Sequence, residues 1–462
     1  MVDEIRFDRR MSDADALMWA IEKDPLLRST ITAIAVLDRA PDRERFTERM
    51  ERASRLIPRL RQRVVASPLV PAPPRWVVDP NFDLRYHLRW VQAPAPGSLR
   101  TLLDLAEPIA MQGFDRARPL WEFTVVEGLA DGKAALIQKL HHSITDGVGA
   151  IKIAMHMLDL EREPAEDPGP MPVAPEPEHP SLLALARDAV RHERRRQLGI
   201  ARRLGADALE AVAHPIGSAR NTAELVGSAS RVLAPATQAL SPIMQGRSLS
   251  VRFDVLTAPL ADTKAAARTA GSRLNDAFVA AVLGGLRRYH DIHGAPVDAL
   301  RTAMPINIRT AATQDVAGNQ FVPARFVVPL GPADLAARMA AVRDLVARQR
   351  SEPALASTEA IAGVLNRLPT TVTTQLFGSM LKGVDFITSN VPGTPVPVYV
   401  AGGQIEANFP FGPLSGAATN VVLLSYVDEL HIGVNTDPAA IPDAEVFVGC
   451  LEEGFDEVRK AG

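Results

Sequence analysis

The N-terminal third of the chain alternates between two hydrophobic periods. DADALMWAIEK, Asp13 to Lys23, sets Leu17 and Ile21 four apart behind an acidic start, which predicts a helix. STITAIAVLD, Ser29 to Asp38, is rich in Ile, Thr and Val and predicts a strand. DRERFTERMERASRLIPRLRQRVV reads as a helix that Pro58 ends, because proline lacks the backbone donor and crowds the preceding turn. WEFTVVEGL and AALIQKLHH predict two strands joined by the turn ADGK, Ala130 to Lys133. The second strand runs out at His141 and His142, and GVGAIKIAMHMLDL predicts a helix directly after it.

The pattern then breaks. EREPAEDPGPMPVAPEPEHP, Glu161 to Pro180, is dense in proline and acid and predicts an exposed linker. Ser181 to Val212 is helical and carries many arginines, SARNTAELVGSASRVL adds a second helical piece, and SPIMQGRS reads as a loop. From Leu249 the mixed pattern resumes. SVRFDVL and LRTAMPINI predict strands, and ADTKAAARTAG, LNDAFVAAVLGGLRRYHDIHG and ADLAARMAAVRDLVARQRSE predict helices. VDFITSNVPG and NVVLLSYVDELHIGVNTD supply further strands before a closing helix, DAEVFVGCLEEGFDEVRKA. The expectation is two α/β segments, 1–160 and 249–462, joined over 161–248 by a proline-rich linker and connecting helices.

Length and composition narrow the class. A chain of 462 residues exceeds what one hydrophobic core organises, so two domains are expected. Hydrophobic content of 47% with 23% charged residues is that of a globular protein, and a net charge of −3 argues against a nucleic-acid binder. Cys450 is the single cysteine, so an intramolecular disulfide is excluded. The charged N-terminus lacks a signal-peptide core, and no run reaches the roughly 18 to 20 apolar residues that span a bilayer. A cytoplasmic protein, at most peripheral on the inner face of the membrane, is expected.

The chemistry concentrates in LHHSITDG, Leu140 to Gly147. On the residues alone, three readings stand: a catalytic base with an orienting acid, a metal site, or a polar strand end. Zinc needs three or four ligands at recognisable spacing, and neither a cysteine pair nor a third close ligand accompanies His142 and Asp146. No metal is expected. Neutral histidine suits proton abstraction from an alcohol near neutral pH.

The spacing H-H-x-x-x-D-G behind an apolar strand resembles the motif of the CoA-dependent acyltransferase superfamily. PRLRQRVV, PRWVVDPNFDLRYHLRW, FDRARPLWEFTVVEGL, LNDAFVAAV and TSNVPGTPVPVYVAG are similar, in the same order, to landmarks of its wax ester synthase/diacylglycerol acyltransferase family. The resemblance runs from about Met11 to the last helix. KDPLLRSTITAI departs from it, since many relatives carry a Met-His pair and a glycine there; the departure bears on substrate preference rather than on the acyl-transfer residues.

The resemblance implies an α/β fold of two chloramphenicol-acetyltransferase-like domains, each a mixed sheet flanked by helices, with the active-site channel between them. It implies transfer of a long-chain acyl group from acyl-CoA to diacylglycerol or a fatty alcohol, with no cofactor beyond acyl-CoA as substrate. His142 is then the general base, His141 a positioning group beside it, and Asp146 the acid that fixes the loop, with Arg309 one candidate partner. Gly147 gives room for substrate. Asn275 is a hydrogen-bonding candidate in the cleft or simply an N-cap. Trp121 is a packing residue that shapes the acyl path, and Ser389 and Asn390 belong to a loop lining the cleft. Cys450 reads as core. The arginine-rich segment RHERRRQLGIARR reads as a solvated helix face or a contact with anionic lipid at a membrane or lipid-droplet surface. The rival readings are a condensation-type or polyketide-associated enzyme using a carrier-bound thioester, and a catalytically idle lipid-binding protein.

Overall fold

The structure is a computed structural model describing residues 8–67, 70, 72–144, 153–164, 169–213, 227, 238–307, 321–331, 333–352, 362–363 and 365–462. Its helices are α1 Asp13–Ile21, α2 Arg43–Leu56, α3 Leu84–His87, α4 Leu99–Met111, α5 Leu182–Ala213, α6 Leu260–Thr269, α7 Leu274–Ile292, α8 Leu335–Arg350, α9 Thr370–Leu381 and α10 Ala444–Lys460. Its strands are β1 Thr30–Leu37, β2 Gln62–Val65, β3 Arg75–Val78, β4 Leu88–Gln92, β5 Trp121–Glu127, β6 Ala134–His141 and β7 Arg252–Pro259. They continue as β8 Ala299–Asn307, β9 Phe321–Pro329, β10 Phe386–Val391, β11 Tyr399–Val400, β12 Gly403–Phe411, β13 Thr419–Tyr426 and β14 Glu429–Thr436.

Two six-stranded mixed sheets carry the fold. The first has the order β11-β12-β1-β6-β5-β4 and the second β7-β14-β13-β10-β8-β9. The expected pair of mixed sheets flanked by helices is thus present. The sheets do not divide where the chain divides, however. β11 and β12 come from the segment 249–462 yet pair onto β1, with Thr32 opposite Phe411 and Ile34 opposite Phe409. Sequence patterning is blind to this, because a strand's period states which face is buried but not which neighbour it pairs with.

Each sheet is buried by named contacts. β5 is buried along almost its whole length, as a strand covered on both faces must be. α7 is buried without a break from Asp276 to Leu286, and its Gly285 lets α10 approach so closely that a Cβ there would overlap Leu451. Cys450 lies in this same core, 3% exposed, as expected.

The sheets meet along a seam. Phe253 of β7 stacks on Phe411 of β12 at 4.0 Å between ring centroids. Beside it, the Asn408 amide donates to His431 Nδ1 at 2.8 Å, and a Cβ at Gly433 would overlap the Pro410 carbonyl. Burial pushes the His431 imidazole below its ordinary value, consistent with a neutral ring accepting that amide.

The proline-rich segment is held along the N-terminal half rather than left as a free linker. Proline removes donors but keeps carbonyls, and arginines use them. Arg52 donates to the Gly169 and Pro170 carbonyls, Arg55 donates to the Pro172 carbonyl, and Arg75 pairs with Glu178. Of the helical piece expected over 218–233 only Gly227 is described, and 147–152 of the helix expected after the double histidine lie outside the described residues. Residues 153–160 give only Ile153 and Ala154 as helix, then turns and a bridge from Asp159 to Tyr399.

Candidate active site

β6 is the interior strand that delivers the double histidine. It pairs with β1 on one side and β5 on the other, so that His141 lies opposite Thr30 and Leu140 opposite Trp121. At its end the His142 amide donates to the Ser29 carbonyl at 2.8 Å, continuing the ladder by one bond. The chain then turns, with the Ile144 amide on the His141 carbonyl at 2.9 Å. This turn separates the two rings into different environments.

His141 is fully buried and both of its ring nitrogens are engaged. Nδ1 accepts the Ser143 amide at 3.0 Å and lies 2.7 Å from the Ser143 hydroxyl. An Nδ1 that accepts an amide carries no proton, so Nε2 holds it and donates to Glu22 Oε1 at 2.9 Å. Trp19 packs edge-on against the ring at 5.4 Å, and Arg116 lies 4.0 Å over Trp19.

Glu22 closes this network. Its Oε1 also accepts the Ser29 amide at 2.6 Å, and Arg116 approaches Oε2 at 3.7 Å. Burial alone would raise the Glu22 carboxyl, but His141, the Ser29 amide and Arg116 outweigh it and hold it below the ordinary carboxylate range. One carboxylate therefore ties the end of α1, the start of β1 and the end of β6 together. Sequence reasoning missed Glu22, Ser29 and Ser143. The available signal was a lone acid at the C-terminal end of a helix, where the helix dipole disfavours it unless a partner compensates.

His142 is half-buried and is held through its backbone, one residue beyond the locked ring. Asp146, Gly147 and Arg309 lie outside the described residues. Among the described residues, no group of three or more His, Cys, Asp or Glu side chains is placed to hold a metal.

The remaining candidates are dispersed. Trp121 is fully buried, donates from Nε1 to the Leu60 carbonyl at 2.8 Å and stacks on His87 at 4.6 Å. It is a core residue of the first sheet. Asn275 is half-buried in the first turn of α7, and the N-cap expected there is Arg273 instead, whose amide donates to Asp276 Oδ2 at 2.8 Å. Ser389 and Asn390 are half-buried on β10, paired in register with Val422 and Leu423 of β13. The loop expected over Ser389 to Gly393 therefore begins only at Pro392. Gly393 is required there, because a Cβ would overlap the Ser425 carbonyl.

Two mixed sheets joined by a crossing segment, with a double histidine at the end of an interior strand, define a two-domain acyltransferase fold. Solved structures of similar fold include a wax ester synthase/diacylglycerol acyltransferase from Marinobacter aquaeolei VT8. It is 21% identical, with a TM-score of 0.61 over 98% of this chain and 100% of that one. The first condensation domain of the calcium-dependent antibiotic synthetase matches at a TM-score of 0.59 and 14% identity, over 99% of this chain and 96% of that one. At these identities the likeness shows fold alone. Residues 11–278 match the wax ester synthase/diacylglycerol acyltransferase catalytic domain, and residues 317–459 match the C-terminal domain of the same family. The chain belongs to this family and is an acyltransferase. A relative from Mycobacterium tuberculosis named as a diacylglycerol O-acyltransferase is 40% identical over 98% of this chain and 92% of its own length. A second so named from that organism is 30% identical over 98% of this chain and 97% of its own.

Proposed function

We propose that this acyltransferase moves a long-chain acyl group from acyl-CoA to the hydroxyl of diacylglycerol or of a long-chain alcohol, with His142 as general base. The observation that carries the assignment is the locked state of His141. Both of its nitrogens are spent on Ser143 and Glu22, so it holds the strand end and the base role falls to its neighbour. His142 takes the hydroxyl proton as the oxygen attacks the thioester carbonyl. The C–S bond then breaks, the proton goes to the departing CoA thiolate, and the ester is released. Bonds are made and broken only between the two substrates, so the reaction needs no cofactor. Asp146, with an arginine such as Arg309, holds the loop that follows.

Membrane-resident acceptors require the enzyme to reach a lipid surface. No helix among the described residues is long and apolar enough to cross a membrane. The exposed stripe of α5 suits surface attachment, since Leu183, Val190 and Leu198 alternate on it with Arg187, Arg191, Arg194 and Arg195.

The test supplies purified protein with palmitoyl-CoA and either diacylglycerol or hexadecanol, following CoA release and the lipid product. Triacylglycerol or wax ester formed by the wild type and lost in His142→Ala is the expected result. Product with neither acceptor overturns the substrate assignment.

A further inference from the structure

A small cleft with a cavity volume of about 70 Å³ opens where the two halves meet. It lies beside the segment that holds the base. Arg28 and Thr30 line it from either side of Ser29, whose carbonyl takes the His142 amide at 2.8 Å. Its apolar wall is Met111 at the end of α4 with the stacked pair Phe253 and Phe411.

Arg28 is the only charged residue among the described residues lining this pocket. Its Nη1 donates to the Met111 carbonyl at 2.6 Å, and no described carboxylate pairs with it. The acids closest to it in the chain are committed elsewhere: Glu22 to His141 and Arg116, Asp24 to Lys382. A half-buried guanidinium without a counter-ion is costly, and a ligand oxygen bearing negative charge relieves that cost with short charge-assisted bonds. The far wall is polar as well. Asn435 is 4% exposed and donates to the Gly412 carbonyl at 2.9 Å, while its Oδ1 lacks a hydrogen-bond partner among the described residues. Ser415 is held in the left-handed region at φ 46°, with its hydroxyl towards the Arg28 carbonyl at 3.5 Å. Such strain persists only where surrounding structure enforces it.

We propose that this pocket is an anion subsite of the acyl-transfer centre. Arg28 receives a carboxylate or phosphate oxygen of a substrate whose apolar portion lies along Met111, Phe253 and Phe411. The inference rests on the acyl-transfer reading above and extends it to the class of substrate. Two sources supply this chemistry: the phosphates of the acyl donor, and the carboxylate of a hydroxylated fatty acid serving as acceptor.

Calorimetric titration with decanoate, decanol and CoA separates them without relying on turnover, so a failed acyl-transfer assay and a failed subsite remain distinguishable. Wild type is compared with Arg28→Gln and with Ser250→Asp, which adds a carboxylate at an exposed lining position and leaves Arg28 in place. Both variants are expected to weaken anion binding roughly tenfold or more, the scale of one hydrogen bond to a charged group. Decanol affinity should fall less. A loss confined to decanoate assigns the pocket to a carboxylate acceptor, and a loss confined to CoA assigns it to the donor's phosphates. Should Arg28→Gln fail to fold, Ser250→Asp decides. If neither anion binds the wild type, or if both keep wild-type affinity in the folded variants, the subsite is rejected.

Discussion

His141 Nε2 donates to Glu22 Oε1 at 2.9 Å across 119 residues of sequence, and the same carboxylate oxygen accepts the Ser29 amide at 2.6 Å. This pair engages one histidine of the motif, and the residue whose amide it takes, Ser29, also holds the backbone of the other through its carbonyl. On the mechanism proposed here, the division of labour between two adjacent, chemically identical side chains depends on a glutamate at the end of the first helix.

His142→Ala is expected to lower acyl transfer by about 10²- to 10⁴-fold, the usual contribution of a general base, with the melting temperature close to wild type. His141→Ala should instead cost stability, because it leaves the buried Glu22 carboxylate without its partner. Melting curves and initial rates on the two variants check this. Near wild-type CoA release by His142→Ala would remove it from the mechanism.

The Glu22 pair also predicts a pH dependence. The folded carboxyl lies below its ordinary value of 4.5, so its stabilisation is fully present above that value and is lost as the pH falls through the lower folded one. The gap in melting temperature between wild type and Glu22→Gln should therefore stay constant from neutral pH to about 5 and narrow in more acidic buffer. A gap that widened on acidification would contradict the assigned direction.

The seam between the sheets should be intolerant of a single methyl group. Gly433→Ala places a Cβ on the Pro410 carbonyl, joining β14 to β12 too closely. We expect a loss of about 1 to 3 kcal/mol, as for other overpacked sites, measured by urea denaturation. Gly449→Ala, where nothing lies within 4 Å of the added carbon, should be neutral or slightly stabilising.

Replacing Arg191, Arg194 and Arg195 with Gln should weaken co-sedimentation with phosphatidylglycerol vesicles. The effect should be largest at low ionic strength, since salt screens such contacts within about 10 Å at 0.1 M. Arg196 is left intact because it pairs with Asp13 at 3.1 Å and ties α5 to α1. Unchanged sedimentation at low salt would make this stripe an ordinary solvated face.

Much was written in the sequence. Period and composition placed most strands and helices, because which face a residue buries is a local property of spacing. LHHSITDG and the ordered landmarks pointed to the family, because a motif is read along the chain. What only the tertiary structure decided is pairing at a distance. It brought β12 from the C-terminal segment onto β1 and turned a proline-rich linker into a segment held by arginines. It also placed Glu22 against one of two neighbouring histidines. No periodicity encodes such choices. They depend on which groups meet once the chain has folded, and a buried donor must find its acceptor wherever the fold has put it.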